Sequence, residues 1–545
     1  MNYRIIITAI AALFFSASAS AETWYRADTH HFVVYSNGSE KKTAEFAQDT
    51  EKFDALLRKL FGREPEVDPN RLTIYLIDNA REVDRLIGGR SGTTAGFYVA
   101  RPEGSFAVAN RERGGRWDLD GQTVLFHEYA HHFMFRNMAV PAPAWFVEGF
   151  AEFMATAEFN KDGSWSYGRV AGHRAYSLLR GPKIPIRDLL TQRPTDSVDN
   201  VFAFYGRAWA LTHMLYRSET RGERIGLYLA ELQEGVDPIE AAETVFGDLD
   251  DFEDQLQDYI EGSINYTKFE EPLPYLDAVT VNRLSDYQSE LVELTLQRTT
   301  GYKTDRTRKK LMRLTQHPDA DAEVWYQLAK LEHVAAHDED APARYDFTSA
   351  RTAVEGALAL KPDHLLANVL MGDLVLEPFD HDLEFDPQEW STARRYYGMA
   401  NKADPLNPLP LFRFGQSFLK EGRKNEQVGM ALEQAFLGAP ESQEIRLTLA
   451  NHHAEEKEFD EAISLLKIIA GNPHSGEGAR ALIASLEEAK SGADAPIDAL
   501  KAAAAEAGDK TGADPGEDIS DGIIDDDDGD TLDSETEAVD TAANP

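Results

Sequence analysis

The sequence predicts an α+β domain followed by an all-α solenoid of helical repeats and a disordered acidic tail. Three observations carry that prediction. β-rich runs alternate with a long helical stretch near the N-terminus, helical pairs closed by prolines recur further on, and the final stretch dissolves into Ala, Gly and Asp. At 545 residues the chain is too long for one hydrophobic core, so several domains are expected.

Residues 1–21 read as a secretory signal: Arg4 supplies positive charge, Ile5 to Phe15 is apolar but too short to span a bilayer, and Ala19-Ser20-Ala21 is a small-residue cleavage pattern. The mature chain is therefore expected in the periplasm or outside the cell. No later run approaches about eighteen apolar residues, so no transmembrane span is expected. The sequence contains no cysteine, which excludes a disulfide framework and any thiolate metal site. The formal charge is −39, and thirteen acidic residues with no Lys or Arg fall in 511–545. A chain this acidic repels phosphate backbones, so nucleic acid is not an expected partner.

Residues 22–270 are expected to form the first folded domain. "HFVVYS" (31–36) and "RLTIYLID" (71–78) read as strands, and Ala44, Ala47, Phe53, Leu56, Leu57 and Leu60 between them recur at helical spacing. "GFYVA" (96–100) and "SFAVAN" (105–110), joined by "RPEG", read as a hairpin. From about 121 the chain turns helical, most clearly at 203–217 and 224–235, the second closed by Gly235 as a cap.

The chemistry concentrates in "FHEYAHHF" (126–133). His127 and His131 are four residues apart, so on a helix they project from one face and can share a metal ion. Glu128 lies about 100° round the helix, where it can hold a metal-activated water and take its proton. Zinc is the usual ion for nitrogen and oxygen donors of this kind. HExxH alone could arise by accident. After Pro141 and Pro143 force a turn, "AWFVEGFAEFMATAEF" starts a helix that can run back alongside the first, with Glu148 seventeen residues beyond His131. Glu148 would then face the histidines as third ligand. Glu152, one turn further, would accept an imidazole N–H and fix its tautomer. His132 points off the shared face and is expected to pack or cap. Arg101, Arg111, Arg113 and Arg116 read as a solvated Arg/Gly loop, with a substrate cleft as the alternative.

"HEYAH" followed by "WFVEGFAE" resembles the gluzincin metallopeptidases, specifically the peptidase-MA-like group whose second motif reads W-x-x-E-G-x-A-E. Trp145, Glu148, Gly149, Ala151 and Glu152 match that motif, and the resemblance covers roughly residues 24–265. It implies a zincin-like fold, zinc held by His127, His131 and Glu148, Glu128 as base, and hydrolysis of polypeptides. It also implies a substrate-binding edge strand upstream of the metal helix, for which 105–110 is the candidate. An oxyanion-stabilising side chain from the later helices is implied too; Tyr205 is the candidate, with His213 or Arg207 behind it.

Residues 271–317 read as a helical linker and 318–490 as the repeats. Helical pairs there end at Pro362, Pro405, Pro440 and Pro473, the last two intervals being 35 and 33 residues, which is tetratricopeptide spacing. Small residues fall where such repeats need them, at Gly372, Gly415 and Ala450 in first helices and Ala357, Ala400, Ala435 and Ala462 in second ones. "EFDEAISLLK" (458–467) resembles the start of a second helix of that family. Stacked repeats present a concave surface, which implies a protein partner. Residues 491–545 read as the acidic tail; "IDDDDGDTLDSE" (524–535) fails as a calcium loop at Ile524 and Thr531. The expected function is an exported zinc metallopeptidase. The alternatives are an inactive peptidase-like scaffold for a cell-envelope complex, or a zinc hydrolase with a non-peptide substrate.

Overall fold

The β-branched and aromatic runs of the N-terminal segment build a sheet whose two faces are both covered. The computed structural model describes residues 22–490 except 65–69, 90–93, 113–119, 139–140, 195–200, 218–220, 339–343, 382, 424 and 474–475. The signal segment, the acidic tail, Arg113 and Arg116 lie outside the described residues. The strands are β1 (Tyr25–Asp28), β2 (Phe32–Ser36), β3 (Leu72–Ile77), β4 (Gly96–Val99), β5 (Phe106–Asn110), β6 (Glu158–Phe159), β7 (Trp165–Tyr167), β8 (Thr267–Phe269) and β9 (Thr280–Arg283). Six of them form one sheet in the order β4-β5-β3-β2-β1-β9, and β6-β7-β8 form a second.

The β2–β3 and β3–β5 pairs are parallel and the rest antiparallel. Parallel pairing needs crossovers, supplied by helix α1 (Glu40–Leu60) and by α2 (Ala80–Leu86) with β4. Ser39 caps α1, which buries Ala47, Phe53, Leu56 and Leu57 against the sheet. The expected hairpin is β4–β5, but 105–110 is not the rim. β5 is paired on both sides and buried at every position, so the sheet edge on this side belongs to β4, the opposite edge among the described strands being β9.

Helix α3 (Gly121–Asn137) crosses the sheet and α4 (Ala144–Ala155) returns against it after the proline-bearing turn. Asp120 caps α3 by accepting from the Thr123 N–H at 2.8 Å. Behind α4 lie α5 (Ala175–Arg180), α6 (Ile186–Thr191), α7 (Val201–Arg217), α8 (Arg221–Gln233), α9 (Pro238–Phe246) and α10 (Leu249–Glu261). Gly235 follows α8 with φ +86°, the left-handed conformation expected of a helix stop.

Residues 271–317, expected as a helical linker, also bring a strand to the sheet, while Tyr287, Leu291, Leu294, Leu311 and Leu314 pack into the core of the helices that follow. β9 pairs with β1, and α11 (Asp286–Thr299) packs Leu296 with Trp24, Tyr75 and Val99 on the face of the sheet away from α3. Helix α12 (Thr304–Leu314) follows, then four helix pairs: α13 (Ala322–Ala336) with α14 (Thr348–Leu360), α15 (Leu365–Asp380) with α16 (Glu389–Ala403), α17 (Pro408–Lys420) with α18 (Glu426–Gly438), and α19 (Gln443–Glu455) with α20 (Phe459–Ala470). Helix α21 (Glu477–Lys490) closes the described chain. The small residues sit where helices meet: a Cβ on Gly372 would come within 2.5 Å of the Tyr397 ring, and one on Gly415 within 2.8 Å of Leu432.

The helical array reaches back to the end of α3. Arg136 donates to Glu441 at 2.9 Å and to the Gly438 carbonyl at 3.1 Å, and Arg446 donates to the Phe135 carbonyl at 3.1 Å.

Helices α4 and α7 touch through Gly149, where a Cβ would lie 2.3 Å from both the Ala208 carbonyl oxygen and Thr212 Oγ1. Because one of those neighbours is backbone, the helices must separate to admit a methyl group. Gly149→Ala is expected to destabilise the fold by about 1–3 kcal/mol, read as a lowered denaturation midpoint; an unchanged midpoint would refute this packing constraint.

Candidate metal centre

The antiparallel return of α4 along α3 brings His127, His131 and Glu148 to one point. His127 Nε2 lies 3.0 Å from His131 Nε2, and Glu148 Oε2 lies 3.4 Å from each. A tetrahedral ion with bonds of about 2.0–2.1 Å requires ligand atoms about 3.3 Å apart. The three atoms therefore form one face of such a tetrahedron. Glu148 is fully buried and His127 nearly so, while His131 keeps partial exposure on one side.

Glu152 stands behind them. Its Oε1 lies 3.5 Å from His127 Nδ1 and accepts from Arg174 at 2.8 and 3.2 Å, while Oε2 is 3.0 Å from His173 Nε2. Burial raises the Glu152 carboxyl, but Arg174 and His173 outweigh it and hold the group well below the ordinary carboxylate range. An ionised Glu152 can only accept, so it favours the His127 tautomer with N–H on Nδ1 and a lone pair on Nε2. Nothing in the spacing of "GHR" (172–174) pointed to this role; His173 and Arg174 come from a 3₁₀ turn and the residue that opens α5.

The remaining expected residues divide. Glu128 is half-buried on the same turn of α3. Tyr205 packs edge-on against His127, ring centroids 6.3 Å apart, beneath the Arg174 guanidinium at 4.9 Å. His132 packs on Tyr129 and meets the Tyr98 hydroxyl at 2.8 Å, outside the cluster. Arg207 pairs with Glu253 at 2.7 Å, away from the histidines. Arg101 is buried over Phe106 rather than solvated, and Arg111 pairs with Asp78.

Among the described residues two other groups have metal-ligand proximity: His333, His337 and Glu377 in the helical array, and His31, Glu51 and Asp54. The last is a closed polar network. His31 Nδ1 bonds Glu51 at 2.8 Å, and Asp54 accepts from Arg58 and from the Tyr129 hydroxyl, both at 2.7 Å. The Arg58 guanidinium already supplies the cation there, and Tyr129 ties α3 to α1 beside Glu128.

Comparison of the sequence with models of known families finds no match, and comparison with curated proteins finds none either.

His213 serves the fold instead of the centre. Its Nε2 faces the Gly168 carbonyl at 2.7 Å and its Nδ1 the Tyr259 hydroxyl at 2.6 Å. A carbonyl can only accept, so Nε2 carries the hydrogen and the tyrosine donates to Nδ1. Burial pushes this imidazole down to about 4. With the folded value below the unfolded value of about 6.5, the unfolded chain binds more protons between those pH values, and stability falls as pH drops through that window. His213→Gln is expected to flatten the unfolding midpoint against pH between about 4 and 6.5; a profile as steep as that of the unsubstituted protein would count against this assignment.

Proposed function

We propose that the chain is an exported zinc metallopeptidase of the gluzincin type, carrying tetratricopeptide-like repeats. The observation that supports this most is the triangle of 3.0, 3.4 and 3.4 Å formed by His127 Nε2, His131 Nε2 and Glu148 Oε2. Nitrogen and oxygen donors in that arrangement suit zinc. Bound there, zinc supplies Lewis-acid chemistry, polarising a carbonyl and making water more acidic.

The chain's own residues do the rest. Glu128, half-buried beside the ligands, takes the proton of the attacking water and returns it to the leaving amine. Glu152, backed by Arg174, holds the His127 ring in its ligating tautomer. Tyr205 donates to the oxyanion as it develops. The free edge of β4 lies beside α3 and offers backbone groups that an extended polypeptide can pair with as an added strand, which favours a peptide substrate. The surfaces of the helical array not used against the first unit serve a protein partner.

Glu128→Gln is expected to lower cleavage of a mixed peptide library by about 10²–10⁴-fold while leaving bound metal in place. Cleavage unaffected by this substitution or by chelation would overturn the proposal. Glu152→Gln is expected to weaken metal affinity at this centre by about 10–100-fold, measured by competition with a chromophoric chelator; unchanged affinity would remove Glu152 from its role.

A further inference from the structure

Far from the first centre, the helical array gathers three imidazoles around one carboxylate. His333 and His337 stand one turn apart at the end of α13, and Glu377 and His381 one turn apart at the end of α15. Both pairs have the spacing that puts side chains on one helix face. The Nε2 atoms of all three histidines converge on Glu377: His333 at 2.5 Å to Oε1, His337 at 3.2 Å and His381 at 3.1 Å to Oε2. The Glu377 side chain is only 8% exposed.

His337 Nδ1 lies 2.9 Å from the His333 backbone carbonyl, which can only accept, so Nδ1 carries the hydrogen. Nε2 then faces the carboxylate oxygen at 3.2 Å, a position that a second ring proton or a metal ion bridges. This is how a ligating histidine is oriented, with one nitrogen tied to a backbone carbonyl and the other on the metal.

The surroundings hold the rings in that arrangement. Tyr345 stacks on His381 with centroids 3.7 Å apart, and Phe347 lies 5.1 Å from His337 and 5.7 Å from His333. Tyr345 adopts φ +65°, a left-handed conformation that bulky residues avoid and that collects at ligand clamps. Its backbone N–H donates to the Ala336 carbonyl at 2.8 Å, pinning it over the end of α13.

We infer that His333, His337 and Glu377, the last held by His381, form a second zinc site, which ties α13 to α15 across the intervening α14. The site takes two nitrogens and one carboxylate oxygen, which lie within 4.8 Å of one another, while His381 Nε2 holds the Glu377 carboxylate at 3.1 Å. It clips one helix pair to the next where the insertion after α15 lengthens the repeat. The site stands independently of the peptidase reading, because it shares no residue with the first centre.

The test uses the full chain carrying His127→Gln and His131→Gln, which disables the first centre. This double variant should bind one zinc ion in competition with a chromophoric chelator, and its Co²⁺ form should show the strong visible absorption of a four-coordinate ion. Zinc should also raise its unfolding midpoint. Adding His337→Gln and His381→Gln should abolish all three signals with the far-ultraviolet circular dichroism unchanged. Should that chain not fold, His381→Gln alone is expected to weaken zinc binding by more than about tenfold. The proposal is overturned if the double variant binds no zinc, or if removing these histidines leaves its affinity unaltered.

Discussion

Two carboxylates one turn apart on α4, both buried, are the most demanding feature of the molecule. Burying one charge without compensation costs several kcal/mol, and removing the partner of a buried charge costs about 3–5 kcal/mol. Glu152 is met by Arg174 and His173, and Glu148 by the imidazoles of α3. That compensation requires α3 and α4 to run side by side and Arg174 to emerge from the turn before α5. Such a fold keeps these side chains inside with donor atoms close enough to hold a metal ion.

Much of this was legible in the sequence. The i, i+4 histidines and the ExxxE pair each declare a helix face, and the prolines between them declare the reversal that joins the two faces. Helix lengths in the array followed from the proline steps: α14, α16, α18 and α20 end at residues 360, 403, 438 and 470, just short of each expected proline. What stayed hidden depends on long-range pairing. β9 is a short polar strand, "TVNR", whose identity comes from β1 and not from its own residues. The interior place of β5 could not be read from a hairpin pattern, because both arms of a hairpin look alike until the sheet order is known. His173 and Arg174 sit in a turn with no periodicity, and only the position of Glu152 gives them meaning.

The two histidine clusters use one device in different settings. In each, an i, i+4 histidine pair on one helix meets a carboxylate on a second, and a further acceptor fixes a ring's tautomer: Glu152 for His127, the His333 carbonyl for His337. The two differ in what adjoins the donors: a third histidine, His381, meets the Glu377 carboxylate in the array, whereas the Tyr205 ring packs on His127 at the first cluster.

The bonds from Arg136 to Glu441 and Gly438, and from Arg446 to the Phe135 carbonyl, decide how far the two parts can be treated as separate modules. The histidine helix α3 is capped at one end by Asp120 and moored at the other by helices more than three hundred residues away in sequence. Cutting the chain between α12 and α13 would leave a helix end with its guanidinium and carbonyl stripped of these bonds, and an apolar seam at Met134, Phe135 and Ile468 opened to water. The first unit therefore borrows part of its rigidity from the helical array, and a shift of α18 or α19 would be felt directly at the histidine helix.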